Sequence, residues 1–121
     1  MSEMLSFVAA DEFTLAIVGA EIDLANATEL FEELWRGIRS EARGLIVDLS
    51  TVRYVDSAGV QSLFDVAREL HISRQHLGIV VPQDSPICRL VEITRLDDAA
   101  VVANTVDACV LALRDLTQPP G

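Results

Sequence analysis

The stretch that most constrains this chain runs from Gly44 to Leu70, GLIVDLSTVRYVDSAGVQSLFDVAREL. It opens as a short apolar run, Leu45-Ile46-Val47-Asp48-Leu49, of the kind that suits a strand covered on both faces. It closes as an amphipathic pattern, with Val60, Leu63, Phe64, Ala67 and Leu70 at helical spacing. Between the two lies Tyr54-Val55-Asp56-Ser57-Ala58-Gly59, a loop that feeds directly into a helix start. Ser57 is thereby expected near a helix N-terminus, where free backbone N–H groups and the positive end of the helix dipole can hold an anion. A phosphate fits such a place. On spacing alone, however, the plainer reading of Asp56 and Ser57 is a helix cap, each residue worth about 1 kcal/mol.

The rest of the chain repeats the alternation. Residues 4–9 and 13–18 are short apolar-rich runs joined by Ala10-Asp11-Glu12, which predicts a hairpin whose first strand is an antiparallel edge. After the Glu21-Ile22-Asp23 loop, Leu24, Ala27, Leu30, Phe31, Leu34, Trp35 and Ile38 form a helical stripe. Trp35 is expected in the core, and either Asp23 or a capping box of Asn26 with Glu29 starts the helix. Gly37 is expected to weaken its last turns by about 1 kcal/mol relative to Ala. A strand at 77–82 stops at Pro82. A third helix over 85–95 follows, with Ser85 as cap and Pro86 in the first helical position. Residues 99–103 read as a last strand. Asn104, Thr105 or Asp107 then caps a final helix with Val106, Cys109, Val110, Leu113 and Leu116 on one face. This pattern implies βαβ units and a mostly parallel sheet, with functional groups outside the carboxyl ends of the strands. The Glu21–Asp23 and Asp56–Ser57 loops both follow strands and belong on one rim.

Composition removes several functions. A chain of 121 residues, half of them hydrophobic, is expected to form one domain over 1–117 with a polar end at 118–121. A formal charge of −10 disfavours nucleic acid and anionic membrane surfaces but suits a basic patch on another protein. No signal peptide and no membrane-length apolar run are seen, which points to the cytoplasm, where Cys88 and Cys109 read as buried reduced thiols.

Catalysis has little to work with. A nucleophilic serine needs a base within hydrogen-bond reach. His71, on the helix that begins near Ser57, lies ~21 Å away at ~1.5 Å per residue, and His76 is expected at the opposite end of the sheet. The surroundings of Ser57 are not Gly-x-Ser-x-Gly. His71 with His76, and Cys88 with Cys109, lack metal-ligand spacing, and no phosphate-binding Gly-Lys loop is present. Asp23, Asp48 and Asp56 read as capping and solvated surface rather than an acid–base pair. No catalytic residue, metal site or cofactor is expected.

The run D-L-S-x-V-x-Y-V-D-S-A-G-V resembles the signature of STAS domains, most of all the stand-alone anti-sigma factor antagonists, and Glu21-Ile22-Asp23 is similar to that family's loop before its first helix. The resemblance spans nearly the whole chain. It implies a single α/β STAS-like domain, with a mixed, mostly parallel sheet, an N-terminal antiparallel edge strand and about four helices. It implies further that Ser57 is phosphorylated by a serine kinase that is also the anti-sigma factor, and that a phosphatase reverses this. Asp23, Asp56, Ser57, Ala58 and Gly59 would bind that partner and so release a sigma factor. A cytoplasmic monomer or weak dimer goes with this role. Two positions depart from the family: Ala20 replaces a usual glycine, and Ala58 replaces a common Ser or Thr, leaving Ser57 the only acceptor at that helix start. The alternatives are a STAS subunit of another complex, such as a lipid-transport ATPase, and a serine enzyme.

Overall fold

The computed structural model describes residues 4–38 and 42–117, so the polar end expected at 118–121 lies outside the described residues. The strands are β1 (Leu5–Ala10), β2 (Phe13–Val18), β3 (Gly44–Asp48), β4 (His76–Val80) and β5 (Val101–Ala103). The helices are α1 (Ala27–Gly37), α2 (Ser57–Ile72), α3 (Ile87–Thr94) and α4 (Val106–Thr117), with a short 3-10 turn at Leu96–Asp98. The sheet order is β1-β2-β3-β4-β5. β1 pairs with β2 antiparallel, Leu5 opposite Val18, and each later neighbour is parallel. This is the mixed, mostly parallel sheet with an antiparallel edge strand that the hairpin and the alternating pattern predict.

The period-2 alternation of strand side chains divides the core. Leu45, Val47 and Leu49 join Leu77, Ile79 and Val81 on the face covered by α1, α2 and α3. Phe13, Leu15, Ile46 and Val80 point the other way and meet Cys109, Val110 and Leu113 of α4. Both faces of β3 and β4 are thus covered, which explains why their sequences are continuously apolar.

Several local expectations are corrected. The first helix begins at Ala27, not Leu24, and Leu24 is 79% exposed. Asp23 Oδ1 accepts hydrogen bonds from the N–H groups of Ala25 (2.9 Å) and Asn26 (3.2 Å), holding the chain in a turn before the helix can propagate. Asn26 makes no capping bond into α1; its side chain instead accepts from the Asp23 N–H and donates to the Glu21 carbonyl. The buried face of α1 is Ala27, Leu30, Phe31 and Leu34, which leaves Trp35 on the flank at 41% exposure rather than in the core. Gly37 has a packing reason: a Cβ there would lie 2.1 Å from the Phe7 ring.

In α3, Pro86 stands one residue before the helix, and the Ser85 hydroxyl accepts from the Ile87 N–H. The last strand shortens to three residues because Leu96–Asp98 turns first. Thr105 is the residue that caps α4, accepting from the Ala108 N–H, and Leu116 is 55% exposed rather than on the buried face. Cys88 is half-buried, with its Sγ donating to the Pro82 carbonyl.

Cys109 is fully buried, and burial pushes its thiol up from an ordinary 9.0 to about 11. The unfolded chain therefore loses this proton first, so the associated stability is present below pH 9 and is lost toward pH 11. The chain has no lysine, which leaves few other groups titrating in that window. The expected result is a urea midpoint that falls between pH 9 and pH 11, and falls less in Cys109→Ala, whose baseline is lower because a buried group is removed.

Candidate functional site

Beyond the carboxyl ends of β2 and β3 the two segments meet again, with the register of the strands shifted by two residues. Ile22 and Val55 form an isolated parallel bridge. The Ile22 N–H donates to the Tyr54 carbonyl at 3.1 Å, and the Asp56 N–H donates to the Ile22 carbonyl at 3.0 Å. On one side of this bridge, Glu21 Oε2 accepts from the Arg53 N–H at 3.1 Å. On the other, Asp56 Oδ2 accepts from the Leu24 N–H at 2.9 Å. The two loops expected on one rim are one hydrogen-bonded unit.

Asp56 is the hinge of that unit. While Oδ2 holds Leu24, Oδ1 accepts from the Gly59 N–H at 3.0 Å, and the Asp56 carbonyl takes the first helical bond, from Val60. One carboxylate therefore caps α2 and ties the first loop to it. This division of labour separates the two readings of Asp56-Ser57. Asp56 is the cap. Ser57 is the first helical residue and is exposed to solvent. The N–H groups of Ser57 and Ala58 precede the first position that can bond within the helix. An anion on the Ser57 oxygen would meet two such donors and the positive end of a helix of 16 residues.

The other expected site residues take different places. Asp23 is half-buried and spends its carboxylate on the turn before α1. Ala58 is half-buried, and its carbonyl accepts from the Ser62 hydroxyl. Gly59 is buried, with its N–H taken by Asp56, so it supports the rim from beneath. A Cβ at Gly59 would sit 2.7 Å from both Ile22 Cγ2 and Val55 Cγ1, the pair that bridges the loops. Gly59→Ala is therefore expected to lose about 1 kcal/mol in a denaturant titration, the overpacking of about 1–3 kcal/mol outweighing Ala's helix preference of about 1 kcal/mol.

Two rim residues escaped the sequence reading. By spacing Leu24 belongs to the apolar stripe of the first helix, and nothing in the sequence singles out Tyr54. Both are exposed, at 79% and 55%, and their backbones are tied into the same loop pair. An apolar residue three positions ahead of the helix, directly after a turn-forming Asp, is the available signal. Asp48, the third expected carboxylate, sits apart in a local turn where it accepts from both the N–H and the hydroxyl of Ser50.

No histidine reaches the rim. His71 lies in the last turn of α2 and His76 opens β4, paired with Gly44 at the far end of the sheet. The two do share one groove of about 330 Å³ there, with Gln75, Asp97 and Asp98. Among the described residues no group of three or more His, Cys, Asp or Glu is placed to hold a metal ion, and no helix is long and apolar enough to cross a membrane.

A model of the STAS domain matches residues 6–109. The chain belongs to the STAS domain family. Its fold is similar to that of an anti-sigma factor antagonist from Mycobacterium paratuberculosis, with a TM-score of 0.80 at 24% identity over 92% of this chain and 93% of that one. It is also similar to a sulfate transporter family protein from Wolinella succinogenes, with a TM-score of 0.72 at 12% identity over 93% of each chain. The Bacillus cell fate determinant SpoIIAA in the phosphorylated form gives a TM-score of 0.60 at 16% identity, over 91% of this chain and 99% of that one. At these identities the likeness is one of fold.

Proposed function

We propose that this protein is an anti-sigma factor antagonist, a binding module rather than an enzyme, switched by phosphorylation of Ser57. The observation that carries the reading is the split between Asp56 and Ser57. Because Asp56 already caps α2, the Ser57 hydroxyl has no structural duty and stands exposed beside free helix N–H groups. In the unmodified state the rim docks on the anti-sigma factor, with Leu24 and Tyr54 as apolar contacts around Ser57 and Ala58, and the sigma factor is released. Asp23, Asp56 and Gly59 shape that rim from behind.

Phosphorylation adds about −1.5 to −2 charges and three acceptor oxygens. The helix dipole and the Ser57 and Ala58 N–H groups tolerate the group, so the fold survives it. The docked interface does not, because the new charge lies at its centre beside the Asp56 carboxylate and must be desolvated. The anti-sigma factor is itself the serine kinase in this scheme, and a separate phosphatase restores the unmodified state. Such a cycle belongs in the cytoplasm.

Support comes from fold likeness to an anti-sigma factor antagonist and to the Bacillus cell fate determinant SpoIIAA in its phosphorylated form. The test is mass spectrometry of the protein isolated from its own cells, with and without phosphatase treatment. Phosphate on Ser57, removed by the phosphatase, is expected. A chain never modified at Ser57 under any growth condition would contradict the switch.

A further inference from the structure

On the flank of the molecule, α1 and α2 leave a groove of about 300 Å³ between them. Its accessible apolar surface is Trp35, seated over the buried Phe31 and Val66, and its lining also carries Glu32, Asp65 and Glu69. Trp35 is the one tryptophan of the chain and is 41% exposed there. A large aromatic face that the fold leaves uncovered, inside a concave wall, marks a contact surface more than a packing defect.

The lining contains three carboxylates and no cation, and the arginines beside it balance two of the three. Arg36 pairs with Glu32 at 3.7 Å and Arg68 with Asp65 at 3.0 Å, from outside the lining. Glu69 has no ion pair among the described residues. A chain of net charge −10 repels a second copy of itself at such a place.

We infer that the α1–α2 groove docks a basic amphipathic helix of a partner protein, its apolar side chains against Trp35 and its arginines or lysines on Glu69 and, in exchange for Arg36 and Arg68, on Glu32 and Asp65. A groove between two helices accepts a third helix through its apolar face, and a guanidinium over the indole adds a cation–π contact. This surface is separate from the Ser57 rim, although both lie on α2. Glu69 is twelve residues beyond Ser57, roughly 18 Å along the axis. The surface operates whether or not Ser57 is modified.

The experiment titrates the protein with a synthetic helix that has leucines on one face and arginines flanking them, and reads the emission of Trp35. The control is the same peptide with Glu in place of Arg. The basic peptide is expected to shift the emission to shorter wavelength and to saturate, and the acidic peptide to leave it unchanged. Glu69→Lys is expected to weaken the basic peptide roughly tenfold, whereas Glu92→Lys, the same charge change on an exposed face of α3, leaves it as in the wild type. Ser57→Asp also leaves it unchanged.

Binding without a change in Trp35 emission would overturn the inference. So would equal weakening by Glu69→Lys and Glu92→Lys, equal binding of the acidic peptide, or loss of the basic peptide in Ser57→Asp. None of these outcomes depends on whether Ser57 is a phosphoacceptor, so the groove and the switch stand or fall separately.

Discussion

Ser57→Asp is expected to fold as the wild type does and to lose its docking partner by roughly a hundredfold, about 2.7 kcal/mol. The two halves of this result have separate causes. Stability is preserved because Ser57 is exposed at the first position of α2 and makes none of the capping bonds. A carboxylate there also interacts favourably with the helix N-terminus, by about 0.3–1 kcal/mol. Docking is lost because a fixed negative charge enters the centre of the rim, a short way along the backbone from Asp56, and like charges at an interface cost several kcal/mol. Ser57→Ala has the opposite profile, binding as the wild type does and resisting the kinase. Isothermal titration with the isolated partner, beside a thermal melt of each variant, separates the two effects.

Asp56→Ala is expected to be the most damaging single change on the rim. It removes two hydrogen bonds from one carboxylate, the cap to the Gly59 N–H and the tie to the Leu24 N–H. The cap is worth about 1 kcal/mol, and a bond to a charged acceptor about 1.5 kcal/mol or more. A total near 2–3 kcal/mol lowers the melting temperature of a domain this size by about 10 °C. The same variant frees the loop that presents Leu24, so docking weakens as well. Asp56→Asn keeps an acceptor for one of the two bonds and recovers part of both losses. A melt of Asp56→Ala within a degree or two of the wild type would show that the carboxylate ties nothing together.

The parts of the fold that were legible in sequence are those in which one period governs a whole element. The continuous apolar runs of β3 and β4 and the amphipathic course of α2 need no tertiary knowledge, and their order fixes a mostly parallel sheet. The loop pairing was legible at the level of topology, since both loops follow strands of one sheet. The single carboxylate serving both loops was not, because the contact of Asp56 with Leu24 spans 32 residues and leaves no periodic trace.

The errors fall where local side-chain bonding beats periodicity. Leu24 matches the helical stripe by spacing, but Asp23 folds the chain into a turn and turns Leu24 out to solvent. Trp35 fits the stripe equally well; the buried face of α1 is narrower than the stripe and ends at Leu34. Leu116 repeats that misfit on α4. Gly37 reads as a weakness of α1 by propensity alone, whereas the ring of Phe7, far away in sequence, fills the space a side chain would need. Hydrophobic spacing says which residues can be buried; only the packing of neighbours decides which are left at the surface to meet a partner.

The most direct test of the central claim is a pull-down from the protein's own cells with wild-type, Ser57→Ala and Ser57→Asp baits, with mass spectrometry of the captured partners and of Ser57. The switch predicts a kinase-like anti-sigma factor held by the wild type and Ser57→Ala, lost by Ser57→Asp, with phosphate on Ser57 of the wild type alone. The same partners on all three baits, with Ser57 unmodified throughout, would contradict it.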